Sequence, residues 1–165
     1  PRTGGEKKYD TATFYSISNC QEGLSRVTLG NFLIKRVVYE IQEELPNIKN
    51  FGTLSPIPGF RDWFITLDEK IIQNILEKIP YSNISFLKSK DLRVGDGRIA
   101  SNKQAIIKLV AHYLMNEKNK KGLPINDVCR FHLGNCAIID DIVINANVSD
   151  LGFKRSFGVM VNYLY

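Results

Sequence analysis

Ser55 is the first side chain in this sequence whose surroundings suggest chemistry. It lies in the segment GTLSPIPGF, residues 52–60, between a short apolar run and two prolines. Pro56 and Pro58 fix their own φ angles and bias the residues before them toward extended conformations. We therefore expect Ser55 on a stiff turn at a strand end, in the kind of loop that often carries binding or catalytic groups. A rigid turn with no chemical role is the alternative interpretation.

The two histidines, His112 and His132, are the other candidates for acid–base chemistry. Histidine is the side chain whose unperturbed pKa allows proton donation near neutral pH. His112 lies in the apolar run AIIKLVAHYLM, which is typical of a structural histidine at a helix edge. His132 lies in RFHLGN, residues 130–135, and is the better candidate for a general acid, with a structural strand histidine as the alternative. Cys129 precedes it by three positions, which in a strand would place the two side chains on opposite faces and argues against a cysteine–histidine dyad.

Composition places broad limits on the function. The chain has 165 residues, of which 44% are hydrophobic and 24% charged, enough for one packed core. Its net charge of +5 favours anionic partners such as coenzyme phosphates. The scattered basic residues argue against nucleic acid, and the apolar runs are too short for a membrane span. The three cysteines, Cys20, Cys129 and Cys136, lack the close pairing of zinc sites, so we interpret them as reduced thiols.

Hydrophobic spacing predicts alternating strands and helices. Strands are expected over residues 13–18 and 51–54, helices over 31–45 and 68–79, a helix capped by Ser101 or Asn102, a loop over 81–98, and extended segments over 128–133, 137–144 and 156–165. Pro46 and Pro80 end the first two helical patterns. This order predicts an α/β fold in which helices flank a mixed sheet.

A glycine-bearing loop between the first strand and the first helix is a candidate phosphate site. It consists of Ser25, Arg26, Val27, Thr28, Leu29, Gly30 and Asn31. A helix N-terminus offers backbone N–H groups and a positive dipole end to phosphate, and Gly30 would permit close approach of the backbone. Many α/β domains have such a turn for packing reasons alone, so the pattern leaves both interpretations open.

Four segments together resemble one known family. They are FYSISNCQEGLSRVTLGNFLIK at residues 14–35, GTLSPIPGF, RFHLGN and SFGVMVNYLY at residues 156–165. In this order and at these distances they resemble the C-terminal half of the catalytic domain of malonyl-CoA decarboxylase. The resemblance covers nearly the whole chain, although residues 66–105 match only loosely. It implies part of an acyl-CoA fold similar to the GNAT class, with residues 1–165 as the C-terminal part of the catalytic domain and the N-terminal helical domain absent.

The resemblance also implies a reaction, in which malonyl-CoA is converted to acetyl-CoA and carbon dioxide. The thioester itself accepts the electrons, so no metal or organic cofactor is expected. His132 matches the family's proton donor, and Ser55 matches a serine described as a proton acceptor. Because a serine without an adjacent base accepts protons poorly, we expect Ser55 to hydrogen-bond the substrate carboxylate instead. Residues 25–31 would hold the coenzyme pyrophosphate, and Tyr165 would lie near the substrate.

The sequence departs from the family pattern at three places. Arg26 stands where the family usually has glycine, and Thr28 where it often has a carboxylate. Asp140 and Asp141 replace bulky and basic residues. They could form a paired-carboxylate site, but a solvated strand end is the favoured interpretation.

Two other functions remain open. A GNAT-type acyltransferase would share the coenzyme loop but would need an amine acceptor and a base. A non-catalytic acyl-CoA-binding module would bind malonyl-CoA without releasing product. In the decarboxylase interpretation the partners are malonyl-CoA and acetyl-CoA, with no nucleic acid or membrane, and the full-length protein is expected to be a homo-oligomer in the cytoplasm, the mitochondrial matrix or the peroxisome.

Overall fold

The computed structural model describes residues 9–15, 29–79 and 84–165 of the chain. The strands are β1 (Thr11–Phe14), β2 (Asn50–Pro56), β3 (Ile138–Val143) and β4 (Met160–Leu164). The helices are α1 (Leu29–Glu44), α2 (Phe60–Thr66), α3 (Glu69–Leu76), α4 (Gly97–Ser101), α5 (Lys103–Met115), α6 (Asp127–Gly134) and α7 (Asp150–Ser156), with a 3₁₀ turn at Ser85–Lys88. None of the helices in this described part is long and apolar enough to cross a membrane.

The strands form one sheet in the order β1-β2-β4-β3. β1 runs parallel to β2, whereas β4 is antiparallel to both β2 and β3. The predicted α/β fold with a mixed sheet is therefore confirmed. In the central pair, Thr53 lies opposite Tyr163 and Ser55 lies opposite Val161. Because side chains alternate along a strand, Thr53 and Ser55 share one face of β2.

The hydrophobic core lies between this sheet and the helices. Its fully buried side chains include Phe60 and Phe64 of α2, Leu109 of α5 and Val161 of β4. The apolar spacing that predicted α3 and α5 therefore marks the faces that pack inward. Asn102 precedes α5 as predicted, although its side-chain amide donates to Arg98 O (2.9 Å) and does not cap the helix.

The extended segment predicted over residues 128–133 was wrong, because these residues lie in helix α6. The β-branched and aromatic residues of VCRFHL favoured a strand. A helix start overrides them: the Asn126 side chain accepts a hydrogen bond from Cys129 N (2.8 Å), and Asp127 places a carboxylate in the first turn. Both features stabilise a helix N-terminus.

Other boundaries also differ from the predictions. The predicted turn residue Ser55 lies inside β2, and Ser156 ends α7 before the chain becomes extended at β4. The loop predicted over 81–98 contains the 3₁₀ turn and the start of α4 at Gly97. The first strand begins and ends earlier than predicted, at Thr11–Phe14, and residues 16–18 lie outside the described residues.

Candidate active site

Ser55, His132 and Tyr165 meet in one hydrogen-bonded group. Ser55 Oγ lies 2.9 Å from His132 Nε2. On the other side of the ring, the Tyr165 hydroxyl lies 2.7 Å from His132 Nδ1. Both imidazole nitrogens therefore face hydroxyl groups, each of which can donate and accept a proton.

The elements of the fold position each member of this group. β2 carries Ser55, α6 carries His132, and Tyr165 directly follows β4. The backbone N–H of Tyr165 donates to Phe51 O (2.9 Å), so the residue continues the sheet past the last paired position of β4. This contact fixes the backbone from which the phenol reaches His132.

The loop after Ser55 is tied to two helices through one carbonyl oxygen. Pro58 O accepts hydrogen bonds from the Asn126 amide (2.8 Å) and from the Tyr113 hydroxyl (3.2 Å). Asn126 also caps α6, so the same side chain starts the helix that carries His132 and holds the loop that follows Ser55. The stiffness expected from Pro56 and Pro58 is therefore combined with an anchor to α6 and α5.

His132 is buried among aromatic rings. Its side chain is 4% exposed, and its ring stacks on Tyr163 with the ring centres 4.2 Å apart and the planes at 16°. Burial lowers the pKa of His132 to about 4, because the low-dielectric surroundings disfavour the charged ring. The free protein therefore holds a neutral imidazole at neutral pH, which corrects the expectation of an unperturbed acid.

The two tyrosines beside this histidine keep their protons. Burial raises the pKa of Tyr165 to about 12 and also raises the pKa of Tyr163. Both phenols are therefore uncharged at neutral pH, and the Tyr165 O–H is available as a donor to Nδ1.

The Ser55 hydroxyl has a second hydrogen-bonding partner besides His132. Its Oγ lies 3.1 Å from Thr53 Oγ1, and both side chains are buried. The hydrogen-bonded group therefore extends from Tyr165 through His132 and Ser55 to Thr53. The structure also corrects the premise that Ser55 has no adjacent base, since His132 Nε2 is within hydrogen-bonding distance.

Comparison with known proteins assigns the chain to a family. Residues 3–165 match the family model described as the malonyl-CoA decarboxylase C-terminal domain. The chain belongs to this family. It is 37% identical over 187 residues to the mitochondrial malonyl-CoA decarboxylase of Anser anser anser, a match that covers 99% of this chain and 36% of that protein. The corresponding protein of Rattus norvegicus is 36% identical over 181 residues, covering 99% of this chain and 37% of the relative.

Solved structures give the same family. The malonyl-CoA decarboxylase of Cupriavidus metallidurans matches with a TM-score of 0.76 and 40% identity, over 94% of this chain and 42% of that one. The Agrobacterium vitis enzyme matches with a TM-score of 0.75 and 34% identity, over 98% of this chain and 40% of that one. The loading GNATL domain of CurA from Lyngbya majuscula, at 11% identity, 96% and 56% coverage and a TM-score of 0.52, shares the fold alone. The chain thus spans little more than a third of the curated malonyl-CoA decarboxylases it matches.

The candidate phosphate loop is only partly within the described residues. Ser25, Arg26, Val27 and Thr28 lie outside them. Leu29, Gly30 and Asn31 belong to the first turn of α1 and not to the preceding loop. The helix that the loop was expected to feed is present, and the coenzyme role of residues 25–31 stays a prediction.

Cys129 and His132 do not form a dyad. In α6 they are three residues apart, so they lie on the same side of the helix and not on opposite faces as expected for a strand. Cys129 is fully buried, its thiol contacts Leu114 O at 3.8 Å, and burial raises its pKa. Cys129 is therefore a packed thiol, whereas Cys136 is exposed; Cys20 lies outside the described residues.

The adjacent acids Asp140 and Asp141 are both exposed. They lie at an irregularity inside β3 and not at its end, and the Asp140 carboxylate accepts a hydrogen bond from the Asn162 amide (2.9 Å). The solvated interpretation fits better than a paired-carboxylate site. Among the described residues, no cluster of three or more histidine, cysteine or acidic side chains could hold a metal ion.

Asn135, the last residue of the RFHLGN motif, has an unusual acceptor. Its amide nitrogen donates to Phe131 O (2.8 Å), which fixes the orientation of the group. Within residues 9–15, 29–79 and 84–165, its Oδ1 is the one buried side-chain oxygen or nitrogen without a hydrogen-bond partner. Buried acceptors are usually paired, so Oδ1 could accept from an incoming N–H or O–H group.

Sequence reasoning missed two residues of this group: Thr53, which contacts Ser55, and Tyr163, which stacks on His132. The alternation of side chains along a strand was the available signal, because it places Thr53 on the face of Ser55 and Tyr163 on the face of Val161, opposite Ser55. The contact of Tyr163 with α6 could not be seen while residues 128–133 were assigned to a strand.

Proposed function

We propose that the protein containing this chain decarboxylates malonyl-CoA to acetyl-CoA and carbon dioxide. The observation that carries this proposal is the buried group in which His132 has Ser55 on one ring nitrogen and Tyr165 on the other. Membership of the malonyl-CoA decarboxylase family and the relatives' names support the choice of substrate.

The chemistry requires two steps. The bond between the malonyl carboxylate and the α-carbon breaks, carbon dioxide leaves, and the electron pair is shared between the α-carbon and the thioester oxygen. The α-carbon then takes one proton to give acetyl-CoA. Because the substrate carries its own electron sink, the protein has to orient the carboxylate, stabilise the developing oxyanion and deliver the proton.

His132 is the proposed proton donor. In the free protein its pKa is lowered to about 4 by burial, so it starts neutral. A malonyl carboxylate bound beside it would raise the pKa, because a nearby opposite charge stabilises imidazolium. Substrate binding would thus load a proton onto the ring, and the enolate left after loss of carbon dioxide would take it. One proton is consumed from solution in each turnover.

Ser55 and Tyr165 take supporting roles in this proposal. The Ser55 hydroxyl, 2.9 Å from His132, would hydrogen-bond the substrate carboxylate and keep the leaving group next to the imidazole. The Tyr165 hydroxyl would hold Nδ1 and fix the ring orientation. Residues 25–31 would bind the coenzyme phosphates at the start of α1, as the GNAT-like fold and the basic Arg26 suggest.

The test follows labelled carbon dioxide from carboxyl-labelled malonyl-CoA, using the protein at its natural full length without added metal or amine. Wild-type protein should release the label, and His132→Ala should lower kcat by roughly 10²- to 10⁴-fold, the usual range for lost general acid–base catalysis. Thioester binding by the variant, measured separately, distinguishes lost chemistry from lost binding.

Three other results would contradict the proposed role of His132 or the proposed reaction. Wild-type turnover by His132→Ala would remove His132 from the mechanism. A folded protein that binds malonyl-CoA without releasing label would be an acyl-CoA-binding module. Thiol release from acetyl-CoA only when an amine is added would identify an acyltransferase.

A further inference from the structure

Thr53 is a buried hydroxyl that the proposed reaction does not use. Its side chain is 2% exposed, and it lies on the same face of β2 as Ser55, with the two hydroxyl oxygens 3.1 Å apart. It is therefore the next hydrogen-bonding group beyond the proposed catalytic pair.

The chemistry of the two hydroxyl groups indicates which atoms carry the hydrogens. Tyr165 Oη lies 2.7 Å from Nδ1 and Ser55 Oγ lies 2.9 Å from Nε2, so each ring nitrogen has one hydroxyl partner. A phenol is a stronger donor and a weaker acceptor than an aliphatic hydroxyl, so Tyr165 donates to the ring and Ser55 accepts from it.

Ser55 Oγ can accept the hydrogen of Nε2–H only if the hydrogen of the Ser55 hydroxyl does not itself point at Nε2. Thr53 Oγ1 provides that acceptor at 3.1 Å. We propose that Thr53 is a positioning residue: it binds the Ser55 hydrogen and thereby holds His132 in the tautomer that carries its proton on Nε2.

This inference rests on the proposed function for its catalytic meaning but not for its test. Nε2 is the ring nitrogen beside Ser55, where the proposed reaction needs a proton. In the free protein Thr53 takes the Ser55 hydrogen; when the substrate carboxylate replaces Thr53 as its acceptor, Nε2–H already points at Ser55 Oγ. The proton that substrate binding adds then goes to Nδ1, where the Tyr165 hydroxyl can turn to accept, and Nε2–H needs no rearrangement before it protonates the enolate.

The tautomer is measured by nitrogen NMR of the substrate-free protein, labelled at its histidines and kept at its natural full length. His132→Gln and His112→Gln each remove one pair of ring-nitrogen signals, which identifies the signals of these two histidines among all histidines of the full-length protein. Wild-type His132 should show a protonated Nε2 and an unprotonated Nδ1. Thr53→Val, similar in shape but without the hydroxyl, should shift the population toward protonated Nδ1, because the Ser55 hydrogen then turns to Nε2. Thr53→Ser should keep the wild-type tautomer.

A protonated Nδ1 in the wild-type protein would overturn the proposal without any variant, and so would an unchanged tautomer in folded Thr53→Val. In the decarboxylation assay we expect Thr53→Val to lower kcat about three- to tenfold, the effect of one lost hydrogen bond, with KM unchanged and with recovery in Thr53→Ser. Because NMR reports on the free protein, a correct tautomer with no decarboxylation would reject the proposed function and leave the role of Thr53 intact.

Discussion

The two histidines of this chain lie in similar local settings. His112 lies in the last turn of α5 and His132 in the last turn of α6. Each stacks on an aromatic ring: His112 on Trp63 at 6.1 Å and 19°, and His132 on Tyr163 at 4.2 Å and 16°. Helix position and ring stacking therefore do not separate a candidate catalytic histidine from a structural one.

The hydrogen-bond partners and the burial of the ring distinguish His132 from His112. His112 Nδ1 faces the Asn116 amide at 3.0 Å, its Nε2 lies 3.7 Å from a Glu117 oxygen, and its side chain is 27% exposed. His132 faces hydroxyl groups on both nitrogens and is almost fully buried. An amide N–H can only donate, whereas a hydroxyl can pass a proton on. The hydrogen-bond partners and the burial of His132 therefore define the candidate site.

Exchanging each histidine for alanine gives the largest expected contrast. His132→Ala should lower kcat for decarboxylation by roughly 10²- to 10⁴-fold. His112→Ala should leave kcat unchanged, because no group at His112 belongs to the hydrogen-bonded chain. Steady-state rates for both variants, beside circular dichroism spectra that show they are folded, make the measurement. Equal losses would abolish the distinction between the two regions.

The pH dependence of stability gives the next contrast. His132 has a folded pKa of about 4 against an ordinary value of 6.5, so the unfolded chain binds more protons between these values. Stability should therefore fall as pH drops through this window, by at most about 3 kcal/mol from this residue. Urea unfolding near neutral pH and near pH 4 measures the loss.

The controls for that measurement are the two glutamine variants. His132→Gln should show a smaller drop in stability on acidification than wild type, since its side chain does not titrate. His112→Gln should keep the wild-type drop. The same drop in all three proteins would mean that other groups cause it.

Removal of one hydroxyl should have a smaller effect. Tyr165→Phe deletes the donor to Nδ1 and keeps the ring, so kcat should fall about tenfold, the value of one neutral hydrogen bond in a buried site. The matched variant Asn116→Ala removes the partner of His112 and should not change kcat. An unchanged rate in Tyr165→Phe would show that His132 is held by its ring packing alone.

The smallest effect concerns the end of the helix that carries His132. Cys136 has a φ of 65°, a left-handed conformation that favours glycine, whereas the cap of α5 at Asn116 is right-handed. Cys136→Gly should therefore stabilise the fold by about 1 kcal/mol. Cys136→Ala, which loses the thiol but keeps the strain, should not, and thermal unfolding of both variants measures the difference.

Local patterns predicted the parts of the fold that depend on local forces. The apolar spacing from Asn31 to Leu45, ended by Pro46, predicted a helix where α1 spans Leu29–Glu44. The same reasoning failed for α6, because strand-favouring side chains outweighed the Asn126 cap in the sequence pattern. The burial of Cys129 and His132 adds tertiary packing to this local cap, and propensity cannot report that packing.

The candidate site depended on the family resemblance more than on local pattern. Ser55 and His132 are 77 positions apart, and His132 and Tyr165 are 33 apart, so no local pattern joins them. The resemblance pointed to all three, and the structure brings them together, while their catalytic roles stay predictions. The lowered pKa of His132 arises from burial by distant elements and could not be read from RFHLGN.

The stacking of Trp63 on His112 has a practical consequence. Trp63 is the only tryptophan among these 165 residues, and it lies in α2 against α5, with its ring 5.1 Å from that of Tyr113. The part of the full-length protein's fluorescence that Trp63→Phe removes is therefore an intrinsic optical reporter of the packing between these two helices. A variant of the His132 group that stops turnover but keeps this part of the emission has lost chemistry and kept its core.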